Sequence, residues 1–500
     1  MSRDEVAGVV FAASADGRRS TSAAGRTVVA DALRQVDPAG ALAAEQDANW
    51  RTGYLVHFRR LVEAGLASKD AAVSVARGGL ESAHRQMRVV DEGGAETGLG
   101  SLLSAPAQRL VATVTVAGTG QADSELSLPY HGERLRGGAL LRRLDRWADG
   151  GVIEPSCAEA VRTVAAHPQW LRLGGRTVVA LGAGAEVGPV PVLLAWGARV
   201  IAIDLPGPPV WGRLLDTARR SGGTLVVPVA GGKPGRHQPG EPDEVIAQRA
   251  GLDLISDVPA IAGWLATVDG PLVLGNYLYA DGSANVRLAA AADALTVRLQ
   301  AGRGDVALAF LATPTDVFAV PPQAVAQSVR AYATRSPAAK LAARPLQVLS
   351  GGRLLARAYP PGADPGINDS LVPQQGPNYA LAKRLHRWRA TLARHDGGVT
   401  VSMNVAPPSR TRSVVKNRAL AAAYAGAHRF GVEIFEPGTC KVLMAALLVH
   451  DLHTGGGPAH LHPWQDEAHA AAHGGLWRIA YAPRSALGLA AALGYNAARK

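Results

Sequence analysis

The chain has 500 residues, of which 47% are hydrophobic and 5% aromatic, a composition typical of a globular protein with a sizeable core. Its formal net charge of +11 comes from 52 basic residues, mostly Arg, which are scattered without a Lys-rich tract or a run of stacking aromatics. No apolar run reaches the ~20 residues of a membrane-spanning helix. These features predict a small-molecule substrate rather than nucleic acid or a membrane as partner, and they leave a homo-oligomer open.

The cysteine count and the first residues predict a cytoplasmic protein. Cys157 and Cys440 are the only cysteines, too few for a disulfide framework. The chain begins Met-Ser-Arg-Asp-Glu, which is not the basic and then apolar pattern of a secretory signal.

Residues 1–170 are predicted to form a mostly helical N-terminal domain. Apolar positions recur at helical spacing in 27–36, 50–67, 70–88, 138–148 and 158–166. An alternating pattern at 110–116 predicts a single strand. We find no catalytic constellation in this part of the chain.

From residue 171 to 485 the pattern changes, and short apolar runs alternate with helical ones. Strands are predicted at 177–182, 199–204, 224–229, 271–275, 305–311, 399–404 and 476–481, and helices at 188–196, 284–299, 379–394 and 437–450. This alternation predicts an α/β protein with a doubly wound, mainly parallel sheet of Rossmann type. Residues 319–378 interrupt the rhythm and are expected to be an insertion or lid, and 486–500 a C-terminal tail.

A glycine-rich turn, Gly182-Ala-Gly184-Ala-Glu-Val-Gly188, follows the first of these strands. In nucleotide-binding folds such glycines permit a sharp turn and close approach of a pyrophosphate to a helix N-terminus. Asp204 ends the next strand, where its carboxylate would bind a ribose and favour NAD over NADP. A methyltransferase that uses S-adenosylmethionine fits the same pattern equally well.

Tyr379 and Lys383 lie four residues apart on a predicted helix and therefore project from one face. An ammonium beside a phenol lowers the phenol's pKa and makes it a proton donor or acceptor near neutral pH. The pair is thus a candidate for proton transfer.

Further segments follow the glycine turn in a meaningful order: Gly270-Pro-Leu-Val-Leu-Gly275-Asn276, Ala284-Asn285-Val286, Gly304 to Thr313, Asn378-Tyr379-Ala-Leu-Ala-Lys383, Val401-Ser-Met-Asn404-Val-Ala-Pro407 to Thr411, and Phe435-Glu-Pro-Gly. Across roughly 176–485 this order resembles the short-chain dehydrogenase/reductase family, from its fourth strand to the segment before its last helix. The resemblance implies an oxidoreductase that uses NAD, or less readily NADP, to act on a carbonyl or alcohol.

The resemblance also implies catalytic roles. Tyr379 would exchange a proton with the substrate oxygen, and Lys383 would lower the pKa of that Tyr and hold the nicotinamide ribose. Thr313 or Ser370 would orient the carbonyl, and Asn285 would support a water-linked proton relay.

It assigns the remaining cofactor contacts to the ends of other strands. Asn276, Pro407 and Thr411 would join the three glycines and Asp204 around the cofactor. No metal is implied.

Two departures from the family pattern stand out. The family's third glycine would fall at Val190, and about 65 residues separate Thr313 from Tyr379 where the family has about a dozen. A nucleotide-binding protein without catalysis is therefore a further alternative. Six histidines between 450 and 473 are interpreted as loop or lid residues rather than as metal ligands.

Overall fold

Short runs of apolar residues form the strands, which we describe from a computed structural model covering residues 7–107, 109–230, 241–456 and 460–496. The strands are β1 (Gly8–Phe11), β2 (Met87–Val90), β3 (Glu96–Gly98), β4 (Val111–Ala117), β5 (Leu128–Tyr130), β6 (Glu133–Leu135), β7 (Thr177–Leu181), β8 (Arg199–Ile203), β9 (Thr224–Ala230), β10 (Leu272–Asn276), β11 (Val306–Ala312), β12 (Val317–Val320), β13 (Gly366–Asp369) and β14 (Val401–Val405).

The helices connect and cover these strands. They are α1 (Thr21–Leu33), α2 (Pro38–Glu45), α3 (Trp50–Gly65), α4 (Lys69–Arg85), α5 (Gly137–Asp149), α6 (Pro155–Ala166), α7 (Val190–Ala195), α8 (Pro208–Arg220), α9 (Asp243–Arg249), α10 (Leu254–Ala266), α11 (Ser283–Gly302), α12 (Pro322–Ala333), α13 (Pro337–Leu349), α14 (Gly376–His395), α15 (Arg412–Lys416), α16 (Arg418–Gly426), α17 (Pro437–Thr454), α18 (Pro463–Ala468) and α19 (Pro483–Gly494).

One seven-stranded sheet organises the molecule, with strand order β14-β11-β10-β7-β8-β9-β4. The six strands from β14 to β9 are parallel, and β4 joins the edge antiparallel to β9. The predicted α/β class with a mainly parallel sheet is therefore confirmed, and β7 and β8 are parallel as expected.

Helices cover both faces of this sheet. Because side chains of a strand alternate between faces, Val179 and Leu181 of β7 pack into a core with α10, α11 and α14. Val178 and Ala180 pack into a second core with α7, α8 and α17. Burial on both faces explains why these strands are apolar at almost every position.

The N-terminal part of the chain is not separate from this assembly. Its strand β4 is an edge strand of the main sheet, and α1, α3 and α4 share a core with α11 and α14. Gly79 of α4 lies so close to Trp388 of α14 that an added Cβ would come within 2.2 Å of the indole. The predicted boundary near residue 170 therefore does not divide two packing units.

Two predictions near the C-terminus are wrong. Residues 476–481 form a turn with one isolated bridge, Tyr481 to Arg357, instead of a strand. Buried Trp477 is held there by Tyr359, whose hydroxyl donates to the Trp477 carbonyl at 2.8 Å. The expected tail contains α19, which packs against α16, and residues 497–500 lie outside the described part.

Candidate active site

The strand order reverses at β7: β8 and β9 follow on one side of β7, and β10, β11 and β14 lie on its other side. In open α/β sheets, ligands bind at the carboxyl ends of the strands beside such a reversal. The segments that follow β7, β10, β11 and β14 carry most of the predicted site residues.

Packing within the protein explains all three glycines of the turn after β7. Gly182 has φ +77°, and an added Cβ would lie 3.1 Å from the Tyr277 carbonyl oxygen. At Gly184 a Cβ would lie 2.9 Å from Val210, and at Gly188 it would lie 3.2 Å from the oxygen of Ala185. The turn is therefore built against the ends of neighbouring elements.

Asp204 fastens this turn to the end of β8. Its Oδ2 accepts the Gly184 N–H at 2.7 Å, and its Oδ1 accepts the Leu205 N–H at 2.8 Å. Each carboxylate oxygen can accept a further hydrogen bond, so Asp204 retains capacity for a ribose hydroxyl.

The helix after the turn is shorter than predicted. It begins at Val190 rather than at residue 188 and has six residues. Pro189 and Pro191 have no N–H, and the next two amides, of Val192 and Leu193, donate to the Pro189 carbonyl at 3.0 and 2.9 Å. The end of this helix therefore offers an anion few donors.

Amides of the loop before the helix provide hydrogen-bond donors that the helix end lacks. The N–H groups of Glu186, Val187 and Val190 donate to no residue in the described part of the chain. The Glu186 carboxylate faces Arg412 and accepts its N–H at 2.9 Å. This contact also brings the segment after β14 to the glycine turn.

Thr313, which follows β11, meets Tyr379 of α14. The Thr313 and Gln375 side chains lie close enough to the Tyr379 hydroxyl to lower the pKa of the phenol. Thr313 Oγ1 also lies 2.8 Å from Thr315 Oγ1, which donates to Gln375 at 2.9 Å. The phenol thus belongs to a small polar cluster at the carboxyl end of the sheet.

The electrostatics of Tyr379 differ from the sequence-based prediction. Burial raises the pKa of its phenol, the charge of Asp316 raises it further, and the neighbouring Thr313 and Gln375 side chains only partly offset this. The predicted lowering of this pKa is therefore wrong. Since the phenol keeps its proton at neutral pH, it can act as a donor but is a poor base.

Pairing between β12 and β13 explains how Tyr379 reaches Thr313 across the long insertion. The two strands are antiparallel, with Val317 opposite Asp369 and Val320 opposite Gly366. The chain therefore leaves and returns at one place, and residues 321–365 connect the two strands. The insertion lengthens the chain without separating the two ends that carry the site.

Lys383 occupies a half-buried position next to the glycine turn. Its Nζ lies 3.5 Å from the carbonyl oxygen of Leu278, a residue whose backbone lies against Gly182. Among the described residues, no carboxylate lies within 4 Å of this ammonium. Burial lowers the pKa of Lys383 to about 8.

The two asparagines near this turn have different capacity for a ligand. Asn276 Oδ1 accepts the Leu278 N–H at 3.3 Å, and Asn285 Oδ1 accepts the Ala280 N–H at 3.3 Å. The Nδ2 of buried Asn285 has no acceptor among the described residues. Asn285 therefore has an unused donor.

The other predicted residues lie elsewhere or make protein contacts. Buried Ser370 donates to Asn368 Oδ1 at 2.5 Å, which leaves Thr313 as the hydroxyl group beside Tyr379. Pro407 accepts from Ser409 Oγ at 3.0 Å, and Thr411 Oγ1 lies 3.0 Å from Ser413 Oγ.

Sequence analysis missed a buried charge cluster behind Tyr379. Asp316 accepts hydrogen bonds from Arg384 Nη2 and Arg387 Nη1, both at 2.7 Å. Arg387 also binds Glu467 through two bonds of 2.7 Å. The available signal was the pair of arginines at i and i+3, directly after Lys383 on a helix that is otherwise apolar on this face.

The histidines of 450–473 contact protein groups. His473 Nε2 lies 2.9 Å from Glu154 Oε1, His460 Nδ1 lies 2.6 Å from Asp466, and His462 Nε2 lies 3.1 Å from the Gly65 carbonyl. Over the described residues, no group of three or more His, Cys, Asp or Glu is arranged to hold a metal ion.

Comparison with known proteins assigns no family. No protein-family model matches the chain, and no curated protein is similar enough to count as a relative. Within the ranges that the structure covers, no helix is both long and apolar enough to cross a membrane.

Proposed function

We propose that this protein is an NAD-linked oxidoreductase with a Rossmann-type fold, which reduces a carbonyl group with proton donation from Tyr379. The strand order supports the fold. Counting the six parallel strands along the chain from β7 to β14, their spatial order is 3-2-1-4-5-6, the order of dinucleotide-binding sheets.

The contact between Thr313 and Tyr379 carries the proposal. A hydroxyl at the end of β11 and a phenol on α14 meet although 65 positions separate them in the sequence. Lys383, one turn further along α14, reaches Leu278 beside the glycine turn. The three side-chain types implied by the family resemblance thus lie around one end of the sheet.

The surrounding groups fit a dinucleotide. The amides of Glu186, Val187 and Val190, which donate to no described residue, suit a diphosphate, and the remaining lone pairs of Asp204 suit a ribose. Lys383 has unused ammonium donors for a second ribose. When bound, NAD would supply the hydride.

The protonation state of Tyr379 favours reduction over oxidation. Because burial keeps the phenol protonated, Tyr379 can donate its proton to the oxygen of a carbonyl as that oxygen gains negative charge. Thr313 would orient the same oxygen through its hydroxyl. Oxidation of an alcohol would need the phenolate, which burial disfavours.

Calorimetric titration with NAD, NADP and S-adenosylmethionine tests the cofactor. We expect NAD to bind best, and Asp204→Ala to narrow its advantage over NADP by removing the charge that repels the 2′-phosphate. Binding of S-adenosylmethionine alone would establish the methyltransferase alternative, and binding of none of the three would refute the proposal.

Turnover with NADH and a panel of aldehydes and ketones tests the chemistry. We expect Tyr379→Phe to reduce kcat by about 10²–10⁴-fold with nearly unchanged NAD affinity, because only the proton donor is lost. Tyr279→Phe is the matched control, since that ring contacts Tyr379 edge-on at 6.2 Å but its hydroxyl donates to Asp281. Equal losses in the two variants would contradict the assignment.

A further inference from the structure

A cavity of about 710 Å³ opens at the amino end of the sheet, away from the Tyr379 site. The start of β7, the start of β8, the loop before β7 and the end of α10 surround it. Its inner wall is formed by Thr113, Ile201, Val226 and Trp264. The volume lies within the range of small-molecule sites.

Three arginines line this cavity. Within the described ranges, the side chains of Arg172, Arg176 and Arg199 make no hydrogen bond and no ion pair. Many other arginines are paired, as Arg389 is with Asp293 at 2.6 Å. Like charges grouped in one recess repel each other and create a positive potential that attracts anions.

Asp269, the one carboxylate of the lining, forms no ion pair with these arginines within the described ranges. Its charge also contributes to raising the pKa of Arg303, which is raised mainly by hydrogen bonding to Asp305. Arg303 donates in addition to the carbonyls of Val268 at 2.5 Å and Gly270 at 2.7 Å. These bonds fix the rim between α10 and β10, so this side of the cavity is formed in advance.

The opposite rim contains an unfavourable backbone conformation. Leu173 is buried and has φ +49°, a left-handed conformation that is rare for a residue other than glycine. The Arg176 N–H donates to the Leu173 carbonyl at 3.0 Å, so this turn sets Arg172 and Arg176 on the same rim. Such conformations concentrate at functional sites.

We propose that this cavity binds a phosphorylated small molecule. Guanidinium groups bind phosphate oxygens through paired hydrogen bonds, and Thr177 lines the same space. Trp264, whose Nε1 donates to Thr113 Oγ1 at 2.9 Å, offers an apolar surface to the organic part. The site is independent of the proposed oxidoreductase activity, because it lies at the other end of the strands.

Titration with inorganic pyrophosphate and with ATP, followed by calorimetry, tests the proposal. We expect the triple variant Arg172→Ala, Arg176→Ala, Arg199→Ala to weaken the affinity for both ligands by about 100-fold. Each charge-assisted hydrogen bond that is lost should lower the affinity by about tenfold. The tryptophan fluorescence of the unmutated protein should change on binding, because Trp264 lines the cavity.

A second triple variant, Arg142→Ala, Arg213→Ala, Arg330→Ala, removes the same net charge from exposed positions outside the cavity and should leave both affinities unchanged. Pyrophosphate bound at the glycine turn instead would keep its affinity in the first triple variant. Absence of binding in the unmutated protein, an unchanged affinity in the first triple variant, or equal losses in the two triple variants would each overturn the proposal.

Discussion

Replacing Asp316 by Asn should strongly destabilise the fold around α14. Asp316 is 1% exposed and compensates the guanidinium groups of Arg384 and Arg387, which are 4% and 3% exposed at the side chain. Burial disfavours its charge, but these two cations lower the pKa of Asp316. The substitution keeps the shape of the side chain and removes only its charge.

The size of the effect follows from what each arginine retains. Arg387 keeps Glu467 at 2.7 Å, whereas Arg384 has no other carboxylate partner among the described residues. Leaving one buried charge unpaired costs about 3–5 kcal/mol. We expect the lower part of this range, about 3 kcal/mol, because the Asn oxygen can still accept one hydrogen bond.

Urea denaturation followed by circular dichroism measures the change. With a slope of at least about 3 kcal/mol/M, the midpoint should fall by up to about 1 M. The control is Asp396→Asn, which breaks the exposed pair with Arg77 at the end of the same helix and should cost less than about 1 kcal/mol. An unchanged midpoint for Asp316→Asn would refute the reasoning.

Acidification adds an independent check of this pair. Because the folded pKa of Asp316 is below its ordinary value, its contribution is complete above about pH 4 and is lost as the pH falls through the folded pKa. The stability difference between the unmutated protein and Asp316→Asn should therefore shrink at low pH. A difference that is constant with pH would contradict the assigned ionisation.

Three further predictions concern packing, acid stability and thiol chemistry. Gly79→Ala should cost about 1–3 kcal/mol in urea denaturation, because the new Cβ would press on Trp388, and an unchanged midpoint would contradict the close packing of α4 on α14. Burial opposes ionisation of Glu154, but hydrogen bonds from a histidine and an arginine lower its pKa to about 2. The free energy of unfolding should therefore fall by about 3 kcal/mol between about pH 4.5 and 2, and Glu154→Gln should remove that pH dependence. Cys157 and Cys440 are buried and burial raises the pKa of both thiols, to about 11 for Cys440, so neither should react with a thiol reagent until the protein unfolds.

The central strands could be predicted because burial on both faces requires apolar residues at almost every position, and that pattern is visible in the sequence. The runs 177–181, 199–203 and 306–312 are apolar at nearly every position, and each is a strand. Residues 476–481 also contain apolar side chains but form a turn, in which the Trp477 carbonyl accepts a hydrogen bond from the distant Tyr359 and the indole packs on Phe318. Such a long-range contact leaves no local pattern.

For the candidate site, the sequence indicated which side chains could come together but not their electrostatics. The spacing of Tyr379 and Lys383 indicates one helical face, yet the phenol's pKa depends on burial and on Asp316, which the pair's spacing does not reveal. The choice between Thr313 and Ser370 also required the structure. It depends on the pairing of β12 with β13, and that pairing joins segments about fifty residues apart.

The position of β4 at the edge of the sheet has a consequence for the order of folding during synthesis. Its partner β9 begins 107 positions after the last residue of the strand, at Thr224 against Ala117. A ribosome therefore delivers β4 well before the strand with which it pairs, and ordering the intervening chain has an entropic cost before that contact forms. During that interval, the alternating apolar residues of β4 must not pair with strands of other proteins. We expect this segment to be the part of the nascent chain that most needs a chaperone.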